Sequence, residues 1–267
     1  MKIPHCLVFL LGLPLLAWGD RGHLVAAEGA LRTLPPHLRA WYLERESRYT
    51  QASLEPDRWK QQDPEETARH RIFCEAYGGA AMVPAQEAVA RSQVSPWTFV
   101  SSGQLPWVIA GRYRGLVQAF QSGDSTAVVE ASGWLCHYIA DAQVPLHTTR
   151  NHNGKLTAQK GVHRRWETDL LGQDGAVELL GLRAAAAPAH LPRTIASWIR
   201  HSHALVVPLL AADRAASSLG PNGNSLPAAA LWKDQKGVVI EQLRHSAQAT
   251  GDLLLAAWIE AGKPLRP

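Results

Sequence analysis

The chain has 267 residues, 46% hydrophobic and 19% charged, enough apolar mass for a sizeable core and too much for a largely disordered protein. Twenty-seven basic against 23 acidic residues give a formal charge of +4, which neither demands nor excludes a nucleic acid as partner. Three cysteines are too few for a disulfide scaffold or a sulfur-ligated cluster, whereas twelve histidines and ten tryptophans are abundant.

Residues 1–17 read as an export signal. A short basic start is followed by an apolar stretch, 6–17, too short to span a bilayer, with Ala17 as the last residue before the cut. Cleavage there makes Trp18 the new N-terminus and places the protein in the periplasm or outside the cell. Beyond it the pattern is nearly all helix. Residues 22–34 carry apolar side chains at helical spacing and stop at Pro35-Pro36, and Pro36 suits the first turn of a helix over 36–43. Further helices are expected over 105–121, over 125–147 with Ser125 as N-cap, and over 161–171. A helix interrupted near Pro188 and Pro192 is expected over 177–216. A long amphipathic helix over 226–261 ends at Gly262, and 217–225 reads as an exposed loop. No strand alternation, repeat or interdomain linker stands out, so the expected fold is a single all-α, multi-helix domain over 18–267. Cys74 and Cys136 read most simply as two separate buried thiols, with pairing open in an oxidising compartment.

The histidines carry the chemistry. In Leu-Cys-His137-Tyr-Ile-Ala-Asp141 the His and Asp lie four apart, one turn along the same helix face, inside an apolar stretch where an unpartnered polar pair is costly. His147 follows just past Pro145, and His163 and Glu167 repeat the four-residue spacing. Two His-x3-acid pairs with a histidine between them suit zinc or a similar divalent ion. Surface i,i+4 ion pairs would explain one such pair but not both together with His147. Upstream lie His23, Asp57 and His70, each weak alone. There is no HExxH, no glycine-rich phosphate loop and no serine nucleophile elbow. His152, His190, His201, His203 and His245 read as solvated or structural.

The segments Trp18-Gly-Asp-Arg-Gly-His23, Asp57, His70-Arg-Ile-Phe-Cys-Glu-Ala-Tyr-Gly78, His137-Tyr-Ile-Ala-Asp141, Pro145-Leu-His147 and His163-Arg-Arg-Trp-Glu167 resemble, in order, the superfamily of zinc-dependent phospholipase C and S1/P1 nucleases. The resemblance spans 18–167. It implies an exported, all-helical, monomeric hydrolase with three zinc ions. One ion is implied on Asp57, His70, His137 and Asp141. A second is implied on Trp18, through its free amine and carbonyl, and His23, with Asp141 as a bridge. The third is implied on His147, His163 and Glu167. Asp57 matches the residue proposed as general base toward a metal-bridging water.

The two branches of the superfamily are mixed in this chain. The Trp-Gly-x-x-Gly-His spacing and Trp166 resemble the nucleases, and Glu167 resembles the phospholipases. Phe73 and Glu75 stand where the family has an aspartate and a second acid, a departure that bears on substrate rather than on metal. The expected activity is hydrolysis of a phosphodiester, leaning to a phospholipid, with single-stranded nucleic acid as the alternative. A non-catalytic, metal-stabilised helical binding domain is the reading from a different class. No integral membrane association is expected once the signal is cut.

Overall fold

The computed structural model describes residues 19–172, 177–218 and 225–264. The expected signal segment, Trp18 and most of the 217–225 loop lie outside the described residues. The regular elements are all helical, and no strand occurs among the described residues. They are α1 (Gly19–Leu31), α2 (Pro36–Leu43), α3 (Glu46–Ala52), α4 (Glu55–Trp59), α5 (Glu66–Arg69), α6 (Glu87–Gln93), α7 (Pro96–Ser102), α8 (Leu105–Ser122), α9 (Ser125–Ala142), α10 (Val162–Arg164), α11 (Leu191–Ala204), α12 (Val206–Ser217) and α13 (Ser225–Glu260). They share one hydrophobic core, and α9 runs through its middle against α1, α3, α4, α8, α11 and α13. No helix among the described residues is long and apolar enough to cross a membrane. Cys74 and Cys136 are separate, buried free thiols; burial pushes them up to about 12 and about 11, which makes them inert.

Three expectations are corrected by local chemistry. The N-cap of α9 is Asp124, whose carboxylate accepts from the amides of Thr126 (2.9 Å) and Ala127 (3.2 Å), rather than Ser125. The helix expected through residue 147 ends at Ala142, and Pro145–Thr148 forms a separate 3₁₀ turn, since Pro145 has no amide to continue the ladder. Residues 177–190 are irregular where a helix is expected. Pro188 and Pro192 disfavour helix before them. The segment instead spends its backbone donors on the core: Ala185 N to Thr33 O (2.8 Å), Arg183 N to Gln248 Oε1 (2.9 Å) and Ala186 N to Asp252 Oδ1 (2.9 Å).

Two glycines bring the elements close enough to build a site. In α9, a Cβ at Gly133 would meet Ala52 Cβ at 2.5 Å and the Tyr49 carbonyl oxygen at 2.7 Å, so α3 lies directly on the α9 backbone. One turn on, His137 Nδ1 donates to the Ser53 carbonyl just past α3, at 2.8 Å. Gly103 has φ +97°, and a Cβ there would meet Arg71 O at 2.1 Å. This lets residues 70–73 run as a strap against the end of α7, with Phe73 N to Ser102 O (2.6 Å) and Leu105 N to Arg71 O (3.1 Å). On its other side Ile72 N donates to the His147 carbonyl (2.8 Å).

Gly133→Ala sets two effects against each other. Helix propensity favours alanine by about 1 kcal/mol, whereas overpacking against α3 costs about 1–3 kcal/mol. With backbone rather than a flexible side chain in the way, the clash wins. A net loss on the order of 1 kcal/mol is expected in denaturant melts, and an unchanged or raised midpoint would contradict the close approach.

Candidate metal centre

The centre is assembled from six pieces of chain. His23 comes from the first turns of α1 and Asp57 from α4. His70 ends α5 and opens the strap. His137 and Asp141 lie one turn apart on α9, and His147 comes from the 3₁₀ turn after it. His163 and Glu167 span the end of α10 and the wider π-type turn Arg165–Asp169. That last segment is fixed from outside, because Arg165 makes two parallel 2.8 Å bonds to buried Asp213 on α12. All eight side chains are buried, and they converge.

They form three groups, each able to hold a metal ion: Asp57, His70 and His137; His23, His137 and Asp141; His147, His163 and Glu167. In the first, His70 Nδ1 lies 3.0 Å from His137 Nε2 and 3.7 Å from Asp57 Oδ1, and Asp57 Oδ1 is 3.7 Å from His137 Nε2. Asp141 Oδ2 joins it, 2.7 Å from His70 Nδ1 and 3.4 Å from His137 Nε2. These are the four side chains that the resemblance implies for one ion. In the third group His147 Nε2 and His163 Nε2 are 3.0 Å apart, with Glu167 Oε1 at 3.3 and 2.6 Å from them. The middle group departs from expectation by including His137, whose ring stacks on His23 with centroids 4.0 Å apart. Trp18, the other ligand expected there, lies outside the described residues. The backbone beside it, at Gly19, packs against Thr168, next to Glu167.

The donor set fits cations. Imidazole nitrogens converge on one another beside carboxylate oxygens, an arrangement of lone pairs that protons satisfy only in part. Both ring nitrogens of His23, Asp141 Oδ1 and His147 Nδ1 are buried without a hydrogen-bond partner. Each such orphan costs about 1–3 kcal/mol. Asp141 Oδ1 nonetheless faces His23 Nε2 at 3.8 Å and His147 Nδ1 at 3.5 Å. Buried oxygen and nitrogen ligands suit a borderline divalent ion.

Electrostatics keep the carboxylates ionised. Burial alone would raise Asp141, but His147 and His137 outweigh it and hold the group well below the usual carboxylate range. Burial opposes ionisation of Glu167 too, and His163 and His147 bring it down to about 2. Asp57 is lowered against its burial by His137 and by Lys60. His23, without a close enough acid, is driven by burial and His137 down to about 3, so it is a neutral imidazole with lone pair available.

Several partners around the centre escaped the sequence reading. Glu66, one turn before His70, lies 3.2 Å from His70 Nε2, so Nε2–H donates outward and Nδ1 faces the centre. Glu66 is itself held by the Tyr138 hydroxyl and by Arg69; against its burial, the bond to His70 first and then these two bring it down to about 2. The signal was present as another four-residue acid–His spacing. Lys60 places its ammonium on Asp57 Oδ1. His152 takes the structural side of its expected reading: its ring lies 4.0 Å from that of His163, and Nδ1 donates to Leu146 O at 3.1 Å. Glu75 does not face the centre. It accepts from the Thr149 hydroxyl and from Arg150 N (3.0 Å), bracing the loop after His147. His190 caps α11, and His203 Nδ1 donates to Thr148 O at 3.1 Å.

No family model matches the chain, and no curated protein matches it.

Glu66→Gln keeps the size of the side chain and one acceptor oxygen but removes the charge on which His70 and Arg69 converge. Metal affinity is expected to fall about 10–100-fold, read by titration with Zn²⁺ against a competing chelator, while helicity is retained. Equal affinity would mean that Glu66 does not set the orientation of His70.

Proposed function

We infer that this chain is an exported zinc-dependent phosphodiesterase, leaning toward a phospholipase C-like activity. The observation that carries the reading is that one buried carboxylate, Asp141, faces all three His/carboxylate groups. Its Oδ2 lies 2.7 Å from His70, and its Oδ1 lies 3.8 Å from His23 and 3.5 Å from His147. Structural metal sites are closed single-ion cages and need no such sharing. Bound there, divalent cations supply Lewis acidity and a water acidified enough to attack a phosphodiester near neutral pH.

The chain's own residues divide the remaining work. Asp141 supplies negative charge where the groups meet. Asp57, ionised and held by Lys60, is placed to accept or orient a proton of the attacking water, and Lys60 adds a positive charge beside the first group. His70 and His137 present one lone pair each to the centre, because Glu66 and the Ser53 carbonyl take the opposite N–H. His147, His163 and Glu167 would hold a cation that could offset the charge of a departing alkoxide.

The lipid preference rests on the surface beside the strap. Trp97 is 78% exposed and Val100 42% exposed, one turn apart on α7, whose last residue, Ser102, accepts from Phe73 N. An exposed indole beside an aliphatic side chain suits an acyl-chain interface. The nuclease reading is favoured by half-buried Phe73, whose ring lies 6.4 Å from that of His152 and offers a stacking platform at the rim.

Purified mature protein, with metal content measured, is expected to hydrolyse bis-p-nitrophenyl phosphate and to favour phosphatidylcholine vesicles over single-stranded DNA. Asp141→Asn is expected to lose metal and at least ~10³-fold of the activity, the scale of a lost electrostatic catalytic contact. Full activity of the Asn variant at matched zinc occupancy would overturn the shared centre.

A second expectation concerns residue 18. A peptide nitrogen has a delocalised lone pair and is a poor ligand, whereas an α-amine, with a reference pKa of about 8, is readily deprotonated by a bound cation. Protein left with extra residues before Trp18, verified uncut by mass spectrometry, should bind less zinc and hydrolyse poorly while remaining helical. If it matches the cut form, Trp18 is not a ligand.

A further inference from the structure

A concavity with a volume of about 490 Å³ lies along the α8–α9 hairpin. That is within the usual range for small-ligand sites. Its walls are one stripe of each helix: Val108, Gly111, Gly115 and Ala119 on α8, and Ala127 and Ala131 on α9. These positions recur at helical spacing over about 16 Å at 1.5 Å per residue, so the walls form a narrow trough of small aliphatic surface. A Cβ at Gly115 would touch nothing within 4 Å, which leaves the trough open at its centre.

One end of the trough is cationic. The Arg112 guanidinium lies over three rings, 5.1 Å from the centroid of Trp59, 5.6 Å from Trp134 and 5.4 Å from Tyr138. Among the described residues Arg112 makes no ion pair with a carboxylate. The other charges of the lining are already matched: Arg69 by Asp63, Glu65 and Glu66, and Glu130 by Arg48. The guanidinium also covers the aromatic faces at this end, so the trough presents a cation and an aliphatic channel rather than a stacking surface for a flat ring.

We propose that the α8–α9 trough is a binding site for an aliphatic chain with an anionic head group, the head on Arg112 and the chain along Gly115 and Ala131. The head group is a carboxylate or a phosphate; both meet the guanidinium by the same bidentate chemistry. The site is distinct from the metal centre and does not depend on the proposed hydrolysis. It is close to the centre through one side chain, since Arg69 closes the same end and holds Glu66, the partner of His70.

The test uses dodecanoate, dodecyl phosphate and uncharged dodecanol, each below its micelle concentration, titrated calorimetrically into the metal-loaded protein. One-site, saturable binding is expected for at least one of the two anions, at least tenfold tighter than for dodecanol. Arg112→Met keeps the apolar stem and is expected to weaken the anion at least tenfold, to the level of dodecanol. Gly115→Leu fills the trough without a clash and is expected to abolish binding, with helicity and metal content unchanged. No saturable binding of either anion, equal binding of dodecanol, or undiminished binding by either variant overturns the proposal.

Discussion

The carboxylate of Asp141 is wholly buried in the middle helix and faces nitrogens of His23, His70, His137 and His147. An ionised carboxylate taken from water into a helical core loses several kcal/mol of solvation, and α9 has no solvent to return it. The four histidines, drawn from α1, the strap, α9 and the 3₁₀ turn, are what make that burial tolerable. The arrangement of these elements around α9 is therefore as much a condition of charge burial as of apolar packing. It also leaves buried lone pairs without a partner, an arrangement compatible with bound cations.

The precision of the centre comes from its surroundings. Gly133 lets α3 close on α9 so that the Ser53 carbonyl reaches His137, and Gly103 lets the strap close on α7 so that His70 and His147 are held by neighbouring backbone bonds. Glu66 and Ser53 fix which nitrogen of each histidine faces inward. Arg165 and Asp213 fix the segment that carries the third group. Each device acts on backbone, on a ring's outer nitrogen or on a side chain outside the groups, so the inner faces of His70 and His137 stay toward the centre.

Two surfaces give the proposed chemistry an amphiphilic setting. The exposed Trp97 and Val100 lie on α7, whose end holds the strap, and the α8–α9 trough pairs an aliphatic channel with the Arg112 guanidinium. Arg69 links the trough to the metal centre through Glu66, a path of two hydrogen bonds from a cavity wall to His70.

The sequence by itself determined the helical class and the ligand pairs within single elements. His137 with Asp141, and His163 with Glu167, share a face because a helix returns to it every four residues. The Pro36 start of α2 and the α8 boundaries follow equally from local rules. The Glu66–His70 pair obeys the same spacing, but its meaning depends on Tyr138 and Arg69, which local rules do not place beside it. Tertiary structure alone decided that His23, Asp57, His70 and His147 meet the α9 pair, that Lys60 and His152 join them, and that His137 faces two groups at once. It also decided that 177–190 gives up its helix for bonds to Thr33, Gln248 and Asp252. The reason is physical: periodicity records only how side chains are arranged about one axis, whereas convergence depends on how close two backbones can approach, and that was set by the missing side chains of Gly133 and Gly103.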